Sequence, residues 1–378
     1  MQKSQLISVL SCLVGVSLLA SACSDDDPGS ARNGSPTDVK ALAVGKAESG
    51  DLFKLADTPG YDGTVTIGID DGYSAYNNQT ADAGTLANSY TLAPVLAAPL
   101  KLDGNDRVLL NSDVFDSWDV TSKEPQQVTY KIKPNVKWSD GQPYDCKDMY
   151  LAWLSQSGLA KGPDGKNPFN SASTTGYSLI KQATCKDNLT FVTDYSEPYL
   201  DFKGLFNAPA IMPAHILEAK TGIADITKLA PTGDPAQVKA AGDFWTNEWK
   251  GFKADIMPSS GPYKITAFDA NQKAVTLEKN PMWVGGKGGP SKIVVRAMED
   301  TKAMATALQN GEIDVAASTQ PDATAAQTMK GLAAQGVTYG SAPQRGFEHL
   351  DLNFKRMFAD KDLRKAFFES VNRKEITD

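Results

Sequence analysis

Histidine and cysteine are scarce in this chain, which leaves little material for catalytic or metal chemistry. Among 378 residues there are two histidines, His215 and His349, and four cysteines. The sequence contains no Cys-x-x-Cys pair and no Gly-x-Ser-x-Gly element, so redox, zinc and nucleophilic-serine sites lack their motifs. We therefore expect a protein that is not an enzyme and that needs no cofactor or metal. A hydrolase built from its scattered carboxylates is the alternative.

An excess of basic residues is also lacking. Lys and Arg number 38 against 45 Asp and Glu, so the formal net charge is −7 and the pI is near 5.1. Binding to a phosphate backbone needs a clustered basic face, and nucleic acid is therefore not expected as a partner. The run Gly285–Gly289 contains a lysine but lacks the Ser or Thr of a phosphate-binding loop. It is predicted to be a surface turn.

The chain has a single long apolar run, and this run lies near the N-terminus. Leu6–Ala22 carries no charge and is shorter than the roughly 20 residues that a membrane-spanning helix needs. Lys3 precedes the run, and small residues lead directly into Cys23. This pattern predicts that residues 1–22 are a lipoprotein signal peptide and that Cys23 is lipidated on the outer face of the cell membrane. An ordinary secretory peptide and an uncleaved membrane anchor are the alternatives.

The predicted signal peptide also determines how we interpret the next segment and the remaining cysteines. Residues 23–57 are rich in Ser, Asp, Gly and Ala and have no apolar periodicity, which predicts a flexible tether. Cys12 leaves with the signal peptide and Cys23 takes the lipid, so Cys146 and Cys185 remain in an oxidising compartment. We expect a disulfide between them; two buried free thiols are the alternative.

The rest of the chain alternates strand and helix patterns, which predicts an α/β fold. Alternating apolar residues favour strands near 65–69, 128–132, 189–195, 261–265, 274–277, 293–296 and 313–316. Helical spacing favours helices within 86–100, 147–154 and 301–309. The order strand, helix, strand in the last part predicts a parallel crossover, with Gly311 ending its helix. Segment 158–176 is predicted to be a mobile loop, and segment 225–242 a polar insertion with short helical turns.

Several short segments resemble the family 5 extracellular solute-binding proteins of oligopeptide, dipeptide and nickel importers. These segments are Val136–Gly141, Ser260–Tyr263, Glu278–Trp283, Gln309–Asp314, His349–Phe354 and Asp362–Arg373. Each motif alone is common, whereas their order and spacing over residues 64–378 are specific to the family.

The resemblance implies a periplasmic-binding-protein-like fold of class II, the large peptide-binding type, with two α/β lobes and an extra domain. Lobe one would comprise residues 58–90 and 212–338, and the extra domain residues 91–211. Residues 339–378 would begin a second lobe that is incomplete, because family members continue well beyond this point. For such a truncated product alone, we expect weak or no ligand binding.

The resemblance also implies a function. A monomer, held at the membrane by its lipid, would capture a peptide between its lobes and deliver it to an ABC permease that is driven by an ATPase. A different solute, such as a sugar oligomer or a metal chelate, is the first alternative, since a fold does not fix its ligand. A sensory or adhesive lipoprotein without transport is the second.

Candidate ligand contacts come from position within the family fold. The loop after the first strand is expected to face the ligand backbone through Asn78, Gln79, Thr80 and Ala81. Tyr177 is expected to stack on the ligand, and Arg345 and Phe347 to line the cleft. A solvated turn would equally explain the loop, and packing within the protein would equally explain the other three residues.

Overall fold

A computed structural model describes residues 52–55, 57, 60–102, 107–318, 322–340 and 350–377. The predicted signal peptide, Cys23, most of the predicted tether, Arg345 and Phe347 lie outside these described residues. The chain divides between Ala342 and Pro343 into two compact units. The first unit contains all the strands described below, and the second contains two short helices.

The strands are, in chain order, β1 (Leu52–Phe53), β2 (Gly60–Ile69), β3 (Leu100–Leu102), β4 (Val108–Asn111), β5 (Phe115–Lys123), β6 (Gln126–Ile132), β7 (Ile180–Asp187), β8 (Thr190–Tyr195), β9 (Tyr263–Asp269), β10 (Ala274–Lys279), β11 (Gly289–Ala297) and β12 (Val315–Ala317). The α-helices are α1 (Leu86–Leu92), α2 (Cys146–Gln156), α3 (Ala214–Thr221), α4 (Pro235–Asn247), α5 (Thr301–Asn310), α6 (Ala323–Gly331), α7 (Lys361–Ser370) and α8 (Arg373–Thr377). The predicted α/β class is confirmed.

A five-stranded mixed sheet has the strand order β12-β2-β11-β10-β9. Strands β11 and β12 both run parallel to β2 and lie on either side of it. The connection through α5 is therefore a parallel crossover over β2, as the sequence predicts. Strands β9 and β10 form the predicted antiparallel hairpin. Helix α5 is capped at its start by Asp300, whose side chain accepts from the Ala303 N–H. At its end it is capped by Gly311, whose φ of 72° is the left-handed conformation that glycine adopts readily.

A second, antiparallel sheet has the order β5-β6-β8-β7. Helix α2 packs against it and buries nearly all of its own side chains. In the structure a disulfide joins Cys146, the first residue of α2, to Cys185 in β7. One hydrophobic cluster runs through both sheets, while α5 and α6 enclose a smaller separate cluster around Met304.

A third sheet, β1-β4-β3, corrects the predicted end of the tether. Leu52 and Phe53 pair in parallel with Leu110 and Asn111 of β4, so the last residues of the predicted tether belong to the fold. The average composition of residues 23–57 is polar and conceals two apolar residues at its end, Phe53 and Leu55, which are half-buried here.

In two other segments the structure differs from the prediction in the length or the kind of element. The helix expected within residues 86–100 ends at Leu92 because Pro94 has no N–H with which to continue it. The second half of the predicted polar insertion belongs to α4, a helix of 13 residues that continues to Asn247 and buries Val238 and Trp245 on one face. No helix within the described ranges is both long enough and apolar enough to span a membrane.

Candidate functional site

Three loops converge at the carboxyl ends of the parallel strands, where open α/β sheets commonly bind ligands. Met298, directly after β11, donates its N–H to the Ile69 carbonyl at 2.7 Å. The Ser318 hydroxyl, directly after β12, donates to an Asp70 carboxylate oxygen at 3.2 Å and lies 2.7 Å from the Thr301 hydroxyl. This chain of polar groups ties the ends of β2 and β12 to the start of α5.

The loop after β2 is held on α1 by two buried asparagines. Asn88 accepts from the N–H groups of Ser74 and Ala75 and donates to the Ala83 carbonyl. Asn78 accepts from the Thr85 N–H at 2.9 Å and donates to the Thr85 carbonyl at 3.0 Å. Because these amide groups satisfy the loop backbone from within, the loop has one preferred conformation.

Residues 77–82, which we call the strip, lie alongside residues 170–172 of the long segment between α2 and β7. Ala81 donates its N–H to the Asn170 carbonyl at 2.9 Å, and Ala172 donates to the Gln79 carbonyl at 2.8 Å. Thr80 and Ser171 form an antiparallel bridge between these two bonds. The strip is therefore paired with residues 170–172 at Thr80, and the residues on either side of Thr80 form turns.

Burial of the side chains divides the four predicted ligand contacts into two pairs. Asn78 and Thr80 are 6% and 2% exposed, and the Asn78 amide is occupied by Thr85. Both side chains therefore face inward, and a contact of Asn78 and Thr80 with the ligand backbone stays a prediction. Gln79 is half-buried and Ala81 is exposed, so these two remain candidates for contact.

Tyr177 also has a structural role in place of the predicted stacking on ligand. Its side chain is 6% exposed, and its ring packs edge to face on Phe206 with 5.2 Å between ring centroids. Its hydroxyl accepts from the Phe206 N–H at 2.6 Å, and burial raises its pKa above the ordinary value. The ring has no free face for a ligand.

The polar groups of the Trp-Ser-Asp-Gly turn serve the fold. His215 lies 2.8 Å from the Asp140 carboxylate in the Trp-Ser-Asp-Gly turn and packs near the Trp138 ring. In the part of the chain that the structure describes, no three His, Cys, Asp or Glu side chains are placed to share a metal ion. The polar groups that sequence patterns did not single out are Asp70, Thr301 and Ser318. The Asp-Asp-Gly triplet at the end of the first predicted strand was the available signal for Asp70.

Comparison with known proteins assigns this architecture to a family. Residues 110–378 match the model of the bacterial extracellular solute-binding proteins, family 5. An uncharacterized lipoprotein of Mycobacterium leprae is 30% identical over 245 residues, which is 63% of this chain and 42% of that protein. The oligopeptide-binding protein OppA of Mycobacterium tuberculosis is 26% identical over 364 residues, which is 89% of this chain and 55% of OppA.

A solved structure gives the same result. The periplasmic EDTA-binding protein EppA superposes with a TM-score of 0.62 and 26% identity, over 76% of this chain and 49% of that one. This chain therefore spans about half the length of the relatives that it matches. Proteins of this family bind solutes and are not enzymes. The chain belongs to the family 5 bacterial extracellular solute-binding proteins.

Proposed function

We propose that this protein is the lipid-anchored solute receptor of an ABC importer and that its solute is a peptide. The family match over residues 110–378 carries this proposal, and the similarity to OppA over most of the chain favours a peptide. The anchor would be Cys23, in keeping with the lipoprotein among its relatives. A membrane permease and its ATPase would be the partners, and the receptor would act as a monomer.

The strip offers a physical basis for peptide binding. An extended peptide can exchange backbone hydrogen bonds with a protein segment beside it, which requires no particular peptide sequence. Gln79 and Ala81 present small or polar side chains outward, so a peptide backbone could approach closely. The opposite wall of such a site would belong to a second lobe, which closes on the bound solute.

The domain arrangement is part of the same proposal. Lobe one would consist of residues 58–90 and 212–338, and the extra domain of residues 91–211. All strands of the five-stranded sheet lie in the first set, and all strands of the four-stranded sheet lie in the second. Residues 339–378 would begin lobe two.

The test is the identity of the solute carried by the full-length protein. Protein purified without added solute is denatured, and the released small molecules are identified by mass spectrometry. Peptides are expected, and they should be absent from Ala81→Trp, which fills the space over the strip. Ala236→Trp, at an exposed position on α4, is the matched control and should retain them. Release of sugars alone, or hydrolysis of added peptides, would contradict the proposal.

A metal chelate is the second candidate solute, because the structural relative EppA is described as binding EDTA. Titration calorimetry with metal–EDTA complexes, compared with a mixture of short peptides, separates the two candidates. Heat released by the chelate and not by the peptides would replace the peptide assignment.

Anchoring and transport need their own tests. Metabolic labelling with a fatty acid should mark the wild-type protein and not Cys23→Ser, which should be released from the membrane. Loss of peptide uptake on deletion of the gene supports transport, whereas unchanged uptake would favour the sensory alternative.

A further inference from the structure

Residues 52–55 and 57, which we call the strap, form hydrogen bonds with the folded body at several points. Ser112 donates both its N–H and its hydroxyl to the Phe53 carbonyl, each at 2.7 Å. Leu55 donates its N–H to an Asp113 carboxylate oxygen at 2.7 Å. These bonds continue the parallel pairing of β1 with β4, so the strap begins as an edge strand of the three-stranded sheet.

The far end of the strap is held by a different part of the chain. Lys287 donates its N–H to the Asp57 carboxylate at 3.2 Å, and Lys287 lies just before β11. The strap thus connects β4 with the entrance of the five-stranded sheet. The residues that bind the two ends of the strap, Ser112 and Lys287, are far apart in sequence. Such contacts arise from tertiary docking and not from a local turn.

The surface under the strap is shaped to receive it. Asp113 is 6% exposed, and Gly285 passes directly over it. A Cβ at Gly285 would lie 2.8 Å from the Asp113 carboxyl carbon and 2.6 Å from the Trp283 ring, so only glycine fits there without displacing them. The Lys101 amino group lies 6.0 Å from the centre of the Phe53 ring, and its burial lowers its pKa to about 8.

The strap also forms one wall of an open cavity of about 640 Å³. Lys54 and Asp57 line this wall, and Lys133 and Val284 line the facing ones. The cavity lies near the amino ends of β2 and β11, since Asp57 and Gly286 line it and these strands begin at Gly60 and Gly289. The candidate site begins after Ile69, at the other end of β2, and the ten residues of β2 separate the two ends by about 30 Å at 3.3 Å per residue.

We propose that the strap makes the last part of the tether a fixed component of the folded body, so that the anchored protein is held from Leu52 and not from Gly60. The tether then joins the body at β1, on one edge of the three-stranded sheet. The docked strap also shortens the free tether by eight residues, which is about 25–30 Å of reach at 3.3–3.6 Å per residue. The effect on the anchored protein rests on the proposed lipid anchor. Docking of the strap itself depends on neither lipid nor ligand.

Hydrogen exchange on the soluble full-length chain tests the docking. Leu55→Pro removes the N–H that binds Asp113, and Leu55→Ala keeps it while removing the same side chain. The Ser112 and Lys287 amides report on the strap from the receiving side, because they donate to Phe53 and Asp57. Both amides should exchange at least about tenfold faster in Leu55→Pro than in Leu55→Ala. Equal rates in the two variants would overturn the proposal.

A second test measures the pKa of Lys101 and does not depend on hydrogen exchange. Lysines are dimethylated with ¹³C-formaldehyde, and the Lys101 resonance is titrated by NMR in both variants. With the strap docked, the pKa of Lys101 should stay near 8, as in Leu55→Ala. In Leu55→Pro it should move toward the ordinary 10.5, because Phe53 no longer covers the amino group. The same low pKa in both variants would show that the strap does not cover Lys101. Failure to bind peptide would leave both results unchanged, so the two proposals fail separately.

Discussion

Asp148 shows how one buried carboxylate organises three segments of this fold. It is 2% exposed. One of its oxygens accepts from the Ala214 N–H at 2.8 Å, and the other accepts from the Trp138 indole at 3.1 Å and the Asp145 N–H at 2.9 Å. Burial, together with the charge of Asp145, raises the pKa of Asp148. Its ionised form is therefore costly at neutral pH, and the three N–H donors offset that cost.

Replacing this carboxylate by an amide should be more harmful than its similar shape suggests. In Asp148→Asn the amide NH₂ must face at least one N–H donor, because both carboxylate oxygens accept. We expect a loss of about 2–3 kcal/mol in the free energy of unfolding, measured by urea denaturation. Asp145→Asn is the matched control, because asparagine caps helix α2 as well as aspartate does. Equal stability of the two variants would contradict this account.

Lys101 gives the protein a pH dependence whose sign can be worked out. Burial lowers its pKa to about 8 in the folded state, against about 10.4 in the unfolded chain. Between these values the unfolded state binds more protons, so stability rises with pH over this window and is independent of this group below it. Lys101→Met should lack the rise, whereas Lys54→Met, at an exposed position, should keep it. Urea denaturation at several pH values from 7.5 to 10.5 measures the difference. A rise that persists in Lys101→Met would assign it to another group.

Sequence patterns could place the strip but could not orient its side chains. The turn-prone residues after a predicted strand located the loop at the sheet edge. Whether Asn78 faced ligand or protein depended on Thr85 and α1, which come near it only in the folded chain. Tyr177 failed for a similar reason, because the partner of its hydroxyl, Phe206, is distant in sequence. Burial of a polar side chain depends on such partners, and local composition does not contain them.

At the scale of elements, the disulfide links a helix to the sheet that it covers. Cys146 opens α2 and Cys185 lies in β7, with a sequence separation of 39. Closing a loop of this length restricts the unfolded chain by about 4 kcal/mol in the chain-entropy model. The double variant Cys146→Ala/Cys185→Ala should lose about 3–4 kcal/mol of unfolding free energy, as should the wild type under reductant. Reductant should not affect the double variant. A wild type that is insensitive to reductant would indicate free thiols.

The entrance to the β9–β10 hairpin depends on a close backbone approach at Gly261. Its N–H donates to the Val95 carbonyl at 2.8 Å, and a Cβ there would clash with the Pro94 carbonyl oxygen. Because a backbone atom cannot move aside as a side chain does, Gly261→Ala should cost about 2–3 kcal/mol. Gly331→Ala, where the added methyl meets open space in α6, should be neutral or slightly stabilising. Thermal unfolding of both variants measures the contrast, and equal melting temperatures would refute it.

Elements with strong periodicity were predictable, and those fixed by a distant partner were not. Strands β2, β8 and β11 alternate apolar residues, and helix α5 has both its cap and its terminal glycine in the sequence. Strand β1 has two residues and exists only because β4 offers a free edge. Helix α4 was overlooked because its apolar face is narrow and its polar residues dominate the local composition.

At the scale of the whole molecule, the two larger sheets share one hydrophobic core. Buried residues of the four-stranded sheet, such as Trp118 and Phe191, belong to the same cluster as Ile265 and Val275 of the five-stranded sheet. Helices α5 and α6 instead enclose a separate cluster that includes Met304 and Ala325. The two sheets are thus distinct in topology while sharing their packing.

This shared core predicts how the first unit unfolds. Hydrogen exchange in increasing urea should show β6 and β10 opening together, because removing one sheet exposes apolar surface of the other. Peptides from α6 should open at lower urea, since the smaller cluster buries less apolar area. The comparison needs only the full-length protein and one exchange series, with α6 serving as the internal control. If β6 opened well before β10, residues 91–211 would be an independent folding unit, and the shared cluster would contribute little to stability.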